Sequence, residues 1–134
     1  MKRILITGAN SYIGTSFETY LKQWEDRYAV DTVDMVDGSW REKSFQGYDA
    51  VFHVAGIVHQ EKKKNDPSQS ELYDRINARL PVEVAEKAKK DGVKQFLFMS
   101  SASVYGLDAP VGKIVTITAD TPLSPKDNYG ISKA

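Results

Sequence analysis

The chain has 134 residues, 41% hydrophobic and 27% charged, and no cysteine. That suits one globular domain with a buried core and excludes disulfides, thiolate catalysis and cysteine-ligated metal. Eighteen basic residues balance eighteen acidic ones, which excludes the cationic footprint of a nucleic-acid partner.

The first apolar run, Ile4 to Ile6 after Lys2 and Arg3, is too short for a signal-peptide core or a membrane span. A cytoplasmic protein with its native start and no membrane partner is therefore expected. With only the isolated histidines His53 and His59, no metal site is expected either. "RILIT" (3–7) reads as a buried strand, and "TGANSYIG" (7–14) then gives a tight turn and a helix start. That order is what a pyrophosphate site requires: Gly8 allows the turn, Gly14 lets the helix approach the strand, and free N–H groups at the helix start attract the anion. Cofactor contacts accordingly fall on Gly8, Asn10, Ser11, Tyr12, Ile13 and Gly14. Ser11 stands where the dinucleotide pattern wants a third glycine, either narrowing the approach or bonding a phosphate itself.

Tyr12 to about Trp24 reads as a helix with Ile13, Phe17 and Leu21 on one face. "YAVDTVDM" (28–35) alternates and reads as a strand near the sheet edge. Asp34, 20 residues after Gly14, is placed to receive the adenine ribose hydroxyls, with Asp31 and Asp37 as competitors. An acid there favours NAD over NADP, since it repels a 2′-phosphate. No arginine follows before Arg41, but NADP is not excluded.

"AVFHVA" (50–55) and "QFLFMS" (95–100) read, like the first run, as strands buried on both faces. His53, inside such a strand, is read as a packed histidine, whereas His59 falls in a loop. "QEKKKNDPSQ" (60–69) reads as solvated loop, and Ser68 to Lys90 as helix, with Leu72, Ile76 and Leu80 at steps of four. Pro81 predicts a kink or restart, and Lys87, Lys89 and Lys90 before Asp91-Gly92 predict the helix end. Residues 111–125 read as a loop with a short extended piece. The result is a doubly wound Rossmann-type α/β domain over 1–134, a parallel sheet with helices on both faces.

These elements resemble, in order, the extended short-chain dehydrogenase/reductase family of NAD-dependent nucleotide-sugar epimerases and dehydratases. "TGANSYIG" is similar to that family's TGxxGxxG loop, and "VFHVAG" (51–56) to the strand motif whose backbone, at Val54, Ala55 and Gly56, lines the cofactor. Asn77 in "YDRINARL" matches the asparagine that braces the active site and is counted with the cofactor-binding residues. "FLFMSSASVYG" (96–106) matches the strand and loop that deliver a catalytic Ser or Thr, and "YGISK" (129–133) the YxxxK helix. The resemblance implies an NAD-dependent, UDP-hexose 4-epimerase-like enzyme with a nucleotide-sugar substrate, and it admits a homodimer. A reductase or dehydratase of the family, or a non-catalytic dinucleotide sensor, is the alternative. Sixteen residues between Asp34 and Val51 are too few for the usual helix, strand and helix, so that part should be abbreviated.

The implied chemistry is hydride transfer at a sugar hydroxyl. Tyr129 is the acid/base, and Lys133 at i+4 favours its phenolate and bonds the nicotinamide ribose. Ser101 holds the reacting oxygen, with Ser103 as rival. The family continues with the last strands and a C-terminal substrate domain, so the 134 residues are expected to be an incomplete domain with weak cofactor binding and no turnover. The Tyr129–Lys133 turn is then expected to be mobile or held by a neighbouring chain.

Overall fold

The computed structural model describes residues 1–58 and 67–134. Lys2–Thr7 (β1), Tyr28–Val33 (β2), Ala50–His53 (β3) and Gln95–Phe98 (β4) form a parallel sheet in the order β2-β1-β3-β4. β1 enters with exposed Lys2 and Arg3 and ends with Leu5, Ile6 and Thr7 fully buried, as befits a central strand. Chain direction across the sheet reverses between β1 and β3, which leaves a crevice beyond the carboxyl ends of those strands. Met1–Gly56 with Arg79–Met99 make one compact unit, and Ile57–Ala78 with Ser100–Ala134 a second.

In the first unit, Tyr12–Leu21 (α1) and Leu80–Lys90 (α3) cover opposite faces of the sheet. Successive strand residues point to opposite faces. Phe52 meets Phe17 of α1 edge-on at 5.1 Å, while its neighbour Val51 joins Leu5, Val84 and Ala88 in the core on the α3 side. The link between β2 and β3 holds only a 3-10 turn, Ser39–Arg41, so the expected abbreviation is present. Its aromatic residues Trp40, Phe45 and Tyr48 complete the core instead. Asp91 fixes them by accepting the Phe45 N–H at 2.7 Å, and Lys87, 3.5 Å from Asp91, lies over the Phe45 ring.

Several expectations needed correction. β4 is not buried on both faces: Gln95, Leu97 and Phe98 are exposed, because among the described residues β4 pairs with β3 alone and turns Phe96 toward the core. Ile13 is 41% exposed, since the first turn of α1 stands out at the loop end. Helix begins at Pro67, inside the run read as solvated loop, with proline tolerated at a helix start; the rest of that run lies outside the described residues. Pro67–Tyr73 (α2) is followed by a π-helical segment, Asp74–Arg79, before α3 restarts with Pro81 in its first turn. The buried positions are Tyr73 and Asn77, one residue on from the expected Leu72 and Ile76, which are only partly buried.

In the second unit, the 3-10 helix Ala102–Tyr105 is tied to a long loop whose base closes through a Ser124 N–H to Val104 carbonyl bond of 2.9 Å. Gly106, at φ 59, sits against the Ser124 carbonyl, where a Cβ would overlap it. Residues 111–125 carry two turns and no strand. The unit ends in Asn128–Lys133 (α4), which packs on α2 and the 3-10 helix.

Candidate functional site

In the first unit the glycine loop lies between the ends of its neighbouring strands. The N–H groups of Gly8 and Ala9 bond the Val33 carbonyl at the end of β2, and those of Val54 and Ala55 bond the Thr7 carbonyl. Gly8 has φ 126, and a Cβ there would stand 2.8 Å from the Ala55 nitrogen, so a side chain is barred by both conformation and contact. Asn10 is left-handed at φ 62, a region that asparagine tolerates. Ser11 caps α1, its hydroxyl accepting the Gly14 N–H at 3.1 Å. The replaced glycine thus folds its side chain back onto the helix start, and Gly14 lets the helix come within reach of Gly8 and Val54. The N–H groups of Tyr12 and Ile13 precede the intrahelical ladder and, with the exposed Gly56, form a donor set suited to a pyrophosphate.

Asp34 follows β2 directly, exposed, with one carboxylate oxygen accepting the Val36 N–H at 2.6 Å. Its competitors are occupied elsewhere. Asp31 accepts from the Tyr48 hydroxyl at 2.6 Å and from Arg3 at 3.2 Å, and these bonds, the tyrosine's above all, hold its carboxyl below the usual range. Asp37 caps the next turn by accepting the Ser39 N–H at 2.9 Å, and the Ser39 hydroxyl, then this N–H, lower its pKa too. Arg41 pairs with Glu83 at 2.7 Å and lies over the Trp40 ring, engaged away from Asp34. His53 is fully buried, bonded through Nδ1 to the Thr7 hydroxyl at 2.7 Å and stacked with Phe96 and Phe98. His59 lies outside the described residues.

In the second unit, Tyr129 and Lys133 stand one turn apart on α4, Tyr129 partly exposed and Lys133 only 7% exposed. Burial pushes the Lys133 ammonium below its ordinary pKa. The helix is not mobile for want of support, as its shortness had suggested. Asp127 caps it through the Gly130 N–H at 2.7 Å, and Gly130 permits such close packing that a Cβ would lie 2.7 Å from the Ser103 carbonyl. Asn77, fully buried, accepts the Ile57 N–H and donates to the Ile57 carbonyl, both at 2.9 Å, and donates to the Ser132 hydroxyl at 3.1 Å. Its amide therefore acts as a strut to α4. Ser101, partly buried, caps the 3-10 helix by accepting the Ser103 N–H at 3.1 Å and keeps its own hydrogen to donate. Ser103 lines a cavity of about 440 Å³ together with Gly106, Asp108, Ile117 and Lys126. Sequence reasoning overlooked Ser132 and passed over Ser100 as a strand-end residue, and no periodicity marks either. The Asp127 cap did have a signal, an acid three residues before Gly130.

The strand order and the glycine loop at the end of β1 define a dinucleotide-binding α/β fold of the Rossmann type. The sequence model of the NAD dependent epimerase/dehydratase family matches residues 4–134, and the chain belongs to that family. It is 28% identical over 149 residues to a UDP-glucose 4-epimerase of Vibrio cholerae, covering 99% of this chain and 44% of that enzyme. The chain thus spans less than half the length of this relative. Two solved structures share the fold: the dTDP-glucose 4,6-dehydratase DesIV of Streptomyces venezuelae, with NAD and TYD bound, and RMD of Pseudomonas aeruginosa, complexed with NADPH. The first has a TM-score of 0.79 at 22% identity and covers 98% of this chain and 48% of that one. The second has a TM-score of 0.75 at 22% identity and covers 99% of this chain and 46% of that one. Among the described residues no helix is long and apolar enough to cross a membrane.

Proposed function

We propose that the protein acts as an NAD-dependent nucleotide-sugar epimerase, inverting C4 of a UDP-hexose. The observation that carries this reading is the Tyr129/Lys133 pair on one turn of an anchored helix, with the lysine buried, in a chain of this family. Similarity to a UDP-glucose 4-epimerase supports the substrate class.

The N–H groups of Tyr12 and Ile13, approached over Gly8, hold the pyrophosphate, and Asp34 receives the adenine ribose hydroxyls. When bound, NAD supplies a hydride acceptor that can return the hydride to the opposite face of the sugar carbon. Tyr129 takes the proton of the sugar hydroxyl and later gives it back, Lys133 sets the electrostatics of that exchange, and Ser101 donates a hydrogen bond to the reacting oxygen. Asn77, its amide spent on Ile57 and Ser132, supports the helix from behind. A homodimer and a cytoplasmic setting belong to the same proposal.

The test is to purify the full-length gene product, denature it, identify any released nucleotide, and assay UDP-hexoses for C4 inversion. NAD with inversion is expected. Released NADP, or stoichiometric consumption of reduced cofactor, points instead to a reductase of the same family. Absence of both cofactor and turnover points to a non-catalytic sensor.

A further inference from the structure

A six-residue helix satisfies few of its own carbonyl groups, because the last four have no partner on the following turn. In α4 one of these carbonyls, that of Lys133, and the carbonyl of Tyr129 one turn before it each accept a serine hydroxyl. The Ser132 hydroxyl donates to the Tyr129 carbonyl at 2.8 Å, and the Ser100 hydroxyl donates to the Lys133 carbonyl at 3.0 Å. The two acceptors are thus the two residues read above as reactive. A serine within a helix often bonds a carbonyl on the preceding turn, so the first bond alone would be unremarkable. Ser132, however, is only 9% exposed and also accepts the Asn77 amide, 55 positions away, while Ser100 reaches α4 from 33 positions away. Ser100 directly, and Ser132 through Asn77, therefore tie the helix to distant chain.

We infer that Ser132 and Ser100 are positioning residues for the Tyr129/Lys133 pair, fixing the carbonyl end of α4 so that both side chains leave the helix at a set depth and angle. The inference rests on the functional reading given above, in which that pair carries the chemistry. Without the Ser132 hydroxyl, the Tyr129 carbonyl gives up one hydrogen bond and one Asn77 amide hydrogen loses its acceptor, which loosens the link from α4 to Ile57. Lys133, buried by that turn, is the reporter of the change.

The experiment follows the Lys133 Nζ resonance by NMR against pH in the unmodified chain and in Ser132→Ala, Ser132→Thr and Ser100→Ala, without substrate. The expected result is a depressed Lys133 pKa in the unmodified chain that moves up by about half a unit or more in the two alanine variants and returns in Ser132→Thr. The titratable groups on the elements packed against α4 are Tyr105, Glu71 and Tyr73, with Asp127 and Tyr129 beside Lys133 itself, and all are present in every variant. An unchanged Lys133 titration in folded alanine variants would overturn the inference. Should those variants not fold, exchange of the Asn77 side-chain amide in the unmodified chain decides: slow exchange supports the strut, and exchange as fast as in a free amide overturns it. Because no step reads turnover, lack of epimerase activity would sink the functional reading while leaving this result to stand or fall alone.

Discussion

The Ser11 hydroxyl that accepts the Gly14 N–H at 3.1 Å lies 2.7 Å from where a Gly14 Cβ would be. One oxygen therefore caps the helix and crowds the space beside Gly14, where the Gly8 carbonyl at 3.1 Å is the stiffer neighbour. Ser11→Gly is expected to lose a few tenths of a kcal/mol of stability while releasing the Gly14 N–H toward the anion, so NAD binding should hold or tighten. Gly14→Ala should lose both stability and binding. Calorimetric titration with NAD beside thermal melts checks the pair of outcomes, and weaker binding in Ser11→Gly would show the serine contacting phosphate itself.

Gly130→Ala should be among the more damaging single-methyl additions in the second unit. Its Cβ would meet the Ser103 carbonyl, which is backbone and slow to yield, and the Pro125 ring at 3.1 Å. A loss of about 2 kcal/mol is expected in urea unfolding. A neutral result would mean that α4 can lift away without cost.

Tyr48 should titrate late. Burial first, and then its bond to the Asp31 carboxylate, push the phenol up to about 12. A raised folded-state pKa contributes stability that is complete below the unfolded value near 10 and is lost as pH rises from there through about 12. Ultraviolet titration of Tyr48→Phe against the unmodified chain should remove one late-ionising phenol and flatten that alkaline loss.

Lys133 has the opposite sign. Burial depresses its pKa, so the unfolded chain binds the extra proton between the folded value and the ordinary 10.5, and stability from this group rises with pH across that window. Lys133→Met should abolish the rise and melt at or above the temperature of the unmodified chain at neutral pH. On the proposed reading, the same change should cut C4 inversion of a UDP-hexose by at least about 100-fold. A stable, active Lys133→Met would remove the lysine from the mechanism.

Much of the sheet and the phosphate loop was legible, because β-branched runs, paired glycines and an acid at fixed spacing are local signals. Asp34 was singled out by that spacing, with Asp31 as a competitor that the structure engages with Tyr48 and Arg3. The exposure of β4 was illegible: "QFLF" looks the same in a central and in an outer strand. The π segment was illegible too, since a wider turn leaves no compositional trace, and the burial of Tyr73 and Asn77 went unread because both are polar-tipped beside the apolar Leu72 and Ile76. Ser132 and Ser100 escaped for a similar reason, as a lone serine names neither of its hydrogen-bond partners.

The aromatic residues between β2 and β3 have one more consequence. Trp40 and Phe45 pack into the core with Leu5, Val51 and Val84, and the Phe45 backbone is anchored by Asp91 just past α3, far along the sequence from the glycine loop. The connection can therefore change at exposed positions such as Val36, Glu42 and Gln46, while Trp40, Phe45 and Tyr48 are held to their identity by the core they complete.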